Sequence, residues 1–402
     1  MAFEPGKSRC YGSIVFRFAR AKVALSLCAA SVFGYGVLAA EADSPGTDKQ
    51  TSGYLDVGGS RIYYETRGSG PAIILLHDGL LHAVTWDEVW EPLATWHQVI
   101  RCDRRGYGRS ELPIRSYSSA EDLRKLVTYL KVRHAMIVGS SSGGALAIDF
   151  AIAHPEMVDG LFLIGPVLHG LPYTAYFLER GNRNNEPMQR DDVRAVAKNW
   201  SEDRFLIAGP NEGARRKIYE QLVANSEKLK FDNHFEQSLS PPASKRLSEV
   251  KAPTLIVAGE ADIADVHAHC GAINAGIRES VRLVMKEAGH LIQLEKPKEL
   301  ARKLEDFAER CERKPANLPT AVLRSLAGHY KSADTILSLA VEGNHLVGRI
   351  GGADSRFFYP ESRSKFYSRV QETDIEFQQD ATGNVSGLVM YQAGTSNNWH
   401  RL

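Results

Sequence analysis

A succession of short apolar runs constrains this chain more than any other feature. They are Ala72-Ile73-Ile74-Leu75-Leu76, Val99-Ile100-Arg101-Cys102, Ala135-Met136-Ile137-Val138, Leu161-Phe162-Leu163-Ile164, Thr254-Leu255-Ile256-Val257 and Val281 to Met285. Each is too short for a helix and lacks strict alternation, so each reads as a strand buried on both faces. Helical periodicity fills the gaps at Ala120 to Leu130, Ser142 to Ala153 and Pro297 to Arg310. Strands alternating with helices predict an α/β fold, a mostly parallel sheet flanked by helices. Gly53 to Val57 and Arg61 to Arg67 add a hairpin around Gly58-Gly59.

The alternation breaks at both ends and once inside. Arg17, Arg20 and Lys22 precede the apolar run Val23 to Ala40, and small residues follow at Ala39-Ala40-Glu41-Ala42. That layout predicts a secretory signal over residues 1–42, cleaved after Ala42 or after Ala39 or Ala40, and hence a secreted or periplasmic protein. An uncleaved membrane anchor is the competing reading. Residues 43–52 read as a flexible segment, 53–313 as the α/β domain and 314–320 as a linker. Residues 321–402 alternate like a small antiparallel β domain. In it, Ile336 to Val341 pairs with Leu346 to Ile350, and Ile375 to Gln378 with Val385 to Tyr391.

Between residues 167 and 251 the chain turns polar, charged and helical, as in Asp191 to Trp200 and Ala214 to Leu229. This insertion lies beyond the strand ends, where an α/β sheet places its ligand crevice, so it reads as a helical cap. Tyr173, Tyr176, Phe177, Trp200 and Phe205 either line a pocket or pack within that cap. The formal charge of +1 supplies no overall attraction to nucleic acid. Cys102, Cys270 and Cys311 are too few for a disulfide framework, and only a Cys270–Cys311 bridge is conceivable.

The chemistry concentrates at strand ends. Gly139-Ser140-Ser141-Ser142-Gly143-Gly144 joins a strand to a helix by a tight turn. Glycines two residues either side of Ser141 remove the Cβ atoms that would clash where strand and helix cross. The Ser141 hydroxyl then stands beside the first amides of a helix, a nucleophile next to a place for negative charge. Ser142 also has small neighbours but sits one position into the helix. A serine needs a base, and the base needs a carboxylate. Asp262 in Gly259-Glu260-Ala261-Asp262 and His290 in Ala288-Gly289-His290 each follow a strand and complete the order Ser, Asp, His. Asp265 is the alternative acid, and Arg104, Arg105 and Arg109 read as residues that tie loops together.

On these motifs, together with Asp103-Arg104-Arg105-Gly106-Tyr107-Gly108-Arg109-Ser110 and the run Gly289 to Pro297, the chain resembles the α/β-hydrolase family from about Gly53 to Arg310. The segment Ala321 to Leu402 is similar, more weakly, to small β domains attached to some serine hydrolases. The resemblance implies a serine hydrolase acting on a small-molecule ester or related acyl bond, with no metal or organic cofactor and no nucleic-acid partner. C–C bond hydrolase, lactonase, peptidase and perhydrolase chemistries remain open on the same scaffold. A silent ligand-binding protein and envelope association through the β domain also stay open, and no oligomeric state is read. Dehalogenases and epoxide hydrolases are disfavoured, because they carry aspartate at the elbow. The oxyanion would be held by backbone amides of Gly79, in His77-Asp78-Gly79, and Ser142. Asp78 replaces the family's usual glycine, and a carboxylate there either points outward or perturbs the pH behaviour of the site.

Overall fold

The computed structural model describes residues 50–229, 235–351 and 355–402. The expectations for the leader and for most of the polar stretch after it fall on residues 1–49, outside the described residues. Among the described residues, no helix is long and apolar enough to cross a membrane.

The six apolar runs and the two hairpin strands form one eight-stranded sheet. Its strands are β1 (Thr51–Asp56), β2 (Arg61–Arg67), β3 (Ala72–Leu76), β4 (Gln98–Cys102), β5 (Ala135–Ser140), β6 (Val158–Ile164), β7 (Thr254–Gly259) and β8 (Ser280–Met285). They lie in the order β1-β2-β4-β3-β5-β6-β7-β8. β1 and β2 form the antiparallel hairpin, β2 runs antiparallel to β4, and every later pairing is parallel.

Two-sided burial explains the unbroken runs. Ile74, Leu76, Ile137, Leu161, Leu163 and Ile256 enter one core. Their neighbours Ile73, Leu75, Val138, Phe162, Ile164 and Leu255 enter the other. Successive strand side chains point to opposite faces, so the inner runs are apolar on both. The run Val281 to Met285 is not buried as expected: β8 is the edge strand, and Leu283 and Val284 are exposed. The helices Ser119–Tyr129, Ser142–Ala153 and Pro297–Glu312 fall where the periodicity indicates. The helix Ala264–Gly276 carries no one-sided apolar stripe, its buried Val266, Cys270 and Ile273 being mixed with buried Asp265 and His269, and it left no readable period. Cys270 and Cys311 are free thiols packed in cores on opposite faces of the sheet, so no bridge joins them.

Between β6 and β7 the chain forms the helices Ala175–Asn185, Val193–Ser201 and Glu212–Ala224. Thr174, Asp192 and Asn211 cap them by accepting from amides of the first turn. Ala197, Ala214, Ile218 and Leu222 of the last two helices, with Leu206 and Ile207 of the connection between them, close on Leu81, Leu291 and Leu294, which follow β3 and β8. The insertion therefore seats directly over two loops at one edge of the sheet.

Past the helix Thr320–Leu326 the chain forms β9 (Gly328–Ser332), β10 (Thr335–Glu342), β11 (His345–Ile350), β12 (Arg356–Pro360), β13 (Lys365–Tyr367), β14 (Thr373–Gln379), β15 (Val385–Gln392) and β16 (Thr395–Arg401). Neighbours pair antiparallel, and β16 returns to β9, closing a barrel. Both expected hairpins are present, with Glu342 opposite His345 and Ile375 opposite Met390. Closure itself is a long-range pairing without a local signal. Tyr330, Leu337, Leu346, Phe358, Phe366 and Leu388 fill the interior, and Leu323 and Leu326 of the preceding helix pack with them. Val370 joins a core of the α/β domain, while Tyr359 Oη donates to Glu279 at 2.7 Å.

Candidate active site

The turn between β5 and its helix holds Ser141 at φ 53° and ψ −116°. A side-chain-bearing residue adopts that conformation only where the surroundings impose it. Here the Ser141 amide donates to the Ile164 carbonyl at 2.8 Å, and its own carbonyl accepts from Gly144 at 2.9 Å. A Cβ on Gly139 would lie 2.4 Å from the Gly143 carbonyl oxygen, and one on Gly143 would lie 2.4 Å from that of Leu76. The strand–helix crossing thus tolerates only hydrogen at both positions.

Asp262 follows β7 and His290 follows β8, and His290 Nδ1 lies 2.8 Å from Asp262 Oδ2. The other Asp262 oxygen accepts the Ile263 amide at 2.7 Å. With Nδ1 occupied by the carboxylate, Nε2 is the nitrogen left to exchange protons. The cap fixes the backbone of this loop, since the His290 amide donates to Phe205 at 2.8 Å and that of Leu291 to Leu206 at 3.0 Å. Burial opposes a charge on His290. The Asp262 charge and hydrogen bond, with a smaller contribution from the Asp78 charge, outweigh it and raise the imidazole pKa above its ordinary value. Ser141, Asp262 and His290 line one cavity of about 250 Å³, walled by Phe177 and Trp200 of the cap.

The remaining aromatic expectations divide. Tyr173 stacks between Phe177 and His269, at 4.3 and 5.0 Å, and Tyr176 meets Phe205 edge-on while half exposed. Asp265, the alternative acid, is occupied elsewhere. Its two oxygens take the Thr174 amide at 2.7 Å and hydroxyl at 2.9 Å, anchoring the start of the cap. The three arginines tie loops: Arg105 makes a two-bond pair with Asp122, and Arg109 reaches Glu65. Arg104 donates to the Asp78 carbonyl and the Ser142 hydroxyl, both at 2.8 Å.

Asp78 does not point outward. It is 1% exposed, and one carboxylate oxygen accepts the amides of Leu80 and Leu81 at 2.7 and 2.8 Å. That local turn takes up the two amides beyond Gly79, and among the described residues no acceptor takes the Gly79 amide itself. Gly79 lies against Ser142, whose side chain a Cβ on Gly79 would meet at 3.0 Å. Ser142 opens the helix, where amides lack intrahelical acceptors.

Gly165 was not anticipated as a site residue. It has φ +47°, and a Cβ there would lie 3.0 Å from His290 Nδ1 and 3.1 Å from Asp262 Oδ2. The sequence signal was a glycine directly after a core strand, in a loop without its own carboxylate. Gly165→Ala is expected to cut kcat/KM by about a hundredfold while the fold survives, because small misplacements at a reacting centre cost about that much. Turnover kinetics beside a thermal unfolding curve check this. Arg180 and Asp203, also unanticipated, form a buried pair in the cap. Among the described residues, no group of three or more His, Cys, Asp or Glu side chains is arranged to hold a metal ion.

A model of the Alpha/beta hydrolase family matches residues 73–303. The 2-hydroxy-6-oxo-6-phenylhexa-2,4-dienoate hydrolase of Comamonas testosteroni is 28% identical over 271 residues, 61% of this chain and 90% of that protein. An uncharacterized hydrolase of Bacillus subtilis, YraK, is 36% identical over 145 residues, so the chain spans about half (54%) of that relative's length. Among solved structures, Est816, described as an N-acyl homoserine lactone degrading enzyme, is similar with a TM-score of 0.52 and 26% identity, over 63% of this chain and 100% of that one. A thermophilic esterase from Thermogutta terrifontis shares the fold, with a TM-score of 0.54 and 21% identity over 66% of this chain and 100% of that one. With the match covering more than half of its length, and with a strained serine turn sharing a cavity with a histidine–aspartate pair, the chain belongs to the alpha/beta hydrolase family.

Proposed function

We propose that the protein is a serine hydrolase that cleaves an ester or related acyl bond of a small molecule through an acyl-enzyme. One observation carries the reading: Ser141, on a strained turn, shares a cavity with His290, whose Nδ1 is held 2.8 Å from Asp262. Ser141 Oγ attacks the carbonyl as His290 Nε2 takes its proton. The tetrahedral oxyanion is held by the amides of Gly79 and Ser142, and His290 then protonates the leaving group. Water, deprotonated by the same nitrogen, attacks the acyl group and restores Ser141. Asp262 keeps the imidazole in the required tautomer and stabilises its charge.

Rapid mixing with a short nitrophenyl ester tests the scheme: a burst of nitrophenol equal to the enzyme concentration, followed by steady turnover, is expected. Binding without burst or turnover would instead favour a silent ligand-binding protein. Cleavage of a C–C bond beside a carbonyl is a second reading, favoured by the likeness to the Comamonas dienoate hydrolase. Turnover of a dienoate without ester cleavage would select it. Export through residues 1–42 remains part of the proposal on the strength of their basic, apolar and small-residue order.

A pH profile follows from the electrostatics. His290 works as a base only when neutral, so kcat/KM is expected to rise with pH to a midpoint above about 6.5, the ordinary histidine value. Asp78→Asn removes a charge that favours the imidazolium. Its midpoint is expected to fall below that of the wild type, raising relative activity on the acid side. An unchanged midpoint would mean that the Asp78 charge does not reach His290.

A further inference from the structure

Arg180 projects from the cap helix Ala175–Asn185 and lines the same cavity as Ser141 and His290, although the residue is only 5% exposed. Its Nε donates to Asp203 Oδ2 at 2.7 Å, and its guanidinium packs over the rings of Trp200 and Phe205 at 5.1 and 5.4 Å. Asp203 is otherwise engaged: the same oxygen takes Asn184 Nδ2 at 2.8 Å, and the other takes the Phe205 amide at 2.9 Å. The carboxylate therefore holds the guanidinium by one edge nitrogen.

Among the described residues, neither terminal nitrogen has an acceptor, and Nη2 is buried without a partner. A buried charged donor is costly to leave unpaired, and the open fork of a guanidinium matches the two oxygens of a carboxylate. The cavity also has polarity. Asp78 lines it as well, and Arg104 meets that residue only at its backbone carbonyl. A carboxylate at Asp78 and a guanidinium at Arg180 thus both line the cavity.

We propose that Arg180 is a specificity-determining residue whose guanidinium receives a carboxylate of the substrate. The substrate class is then an acyl compound with a carboxylate on one side of the scissile bond. This rests on the serine hydrolase reading above. Trp200 and Phe205 set the plane of the guanidinium, and Asp203 and Asn184 hold its position.

Two ester pairs test the idea and distinguish the side that carries the charge. The nitrophenyl monoester of glutaric acid is compared with nitrophenyl butyrate, and 4-acetoxybenzoate with phenyl acetate. The wild type is expected to favour the anionic member of at least one pair by about tenfold or more in kcat/KM, as charge-assisted hydrogen bonds imply. Arg180→Gln, and the double variant Arg180→Gln/Asp203→Asn that removes both charges of the pair, should bring that ratio to about one. Arg180→Lys, which keeps the charge but not the fork, should retain only part of it. No preference in the wild type, or a full preference surviving in the folded variants, would overturn the proposal. Fluorophosphonate labelling of wild-type Ser141 separates the two levels. Labelling without charge preference removes only the subsite, whereas absence of labelling removes the hydrolase reading beneath it.

Discussion

Ser141→Ala is expected to lower kcat on a nitrophenyl ester by on the order of a million-fold, with the protein still folded. Loss of the nucleophile leaves His290 without the hydroxyl it would deprotonate, and the remaining amides and cavity supply only weak catalysis of direct hydrolysis. The backbone around the serine gives this prediction a second, independent readout. Ser141 sits at φ 53° and ψ −116°, a region that costs about 1–3 kcal/mol for a residue with a Cβ. Alanine keeps that cost and should leave the melting temperature nearly unchanged. Glycine relieves it, so Ser141→Gly should be as inactive as the alanine variant yet melt higher. Strain at a residue whose loss abolished turnover would mark a site held for function rather than for stability.

Asp262→Asn is expected to lower kcat by on the order of ten-thousand-fold. The amide occupies the same space but presents either a donor or a neutral acceptor to His290 Nδ1, so the tautomer that leaves Nε2 basic loses its support. Asp265 does not compensate, because both of its oxygens are committed to Thr174. The variant also changes pH behaviour. Burial disfavours imidazolium, and the Asp262 charge is the leading interaction opposing that burial. Without it the His290 pKa falls, and the residual activity should keep its plateau to lower pH than the wild type. A large loss of kcat with an unmoved acid limb would mean that Asp262 acts on something other than His290.

Much of this architecture was legible in the sequence because its signals are local. A run such as Ile73-Ile74-Leu75-Leu76 needs no partner to be read: two cores claim alternate side chains, and apolar residues must fill every position. Gly139 and Gly143 announce the crossing at Ser141 for an equally local reason, since backbone oxygens occupy the space of their absent Cβ atoms. The closed barrel was legible only as two hairpins. Its closing contact, His400 opposite Lys331, joins residues far apart in the chain, and no local pattern encodes it. The helix Ala264–Gly276 was missed because it buries polar and apolar residues together.

Within the site, the alignment of Ser141, Asp262 and His290 on one cavity was foreshadowed by their positions after parallel strands. Arg180 and Gly165 were not. Arg180 lies in a helical insertion, where single-chain patterning fixes the helices but not the residue that each turns toward the sheet. Gly165 matters through two atoms contributed by later loops, His290 Nδ1 and Asp262 Oδ2. Asp78 was visible as a departure from the expected glycine. Its orientation depended on an Asx-type turn onto Leu80 and Leu81, a choice between two conformations that the sequence left open.

On the proposed mechanism, Ser141 is the nucleophile of a histidine-assisted hydrolase. Reaction of the folded protein with a fluorophosphonate, followed by mass spectrometry of the peptides, tests it most directly. One adduct is expected, on Ser141, formed at a rate that rises with pH as His290 loses its proton, absent from Ser141→Ala and strongly slowed in Asp262→Asn. An adduct on Ser142 or another residue, or equal labelling of wild type and Ser141→Ala, would contradict it.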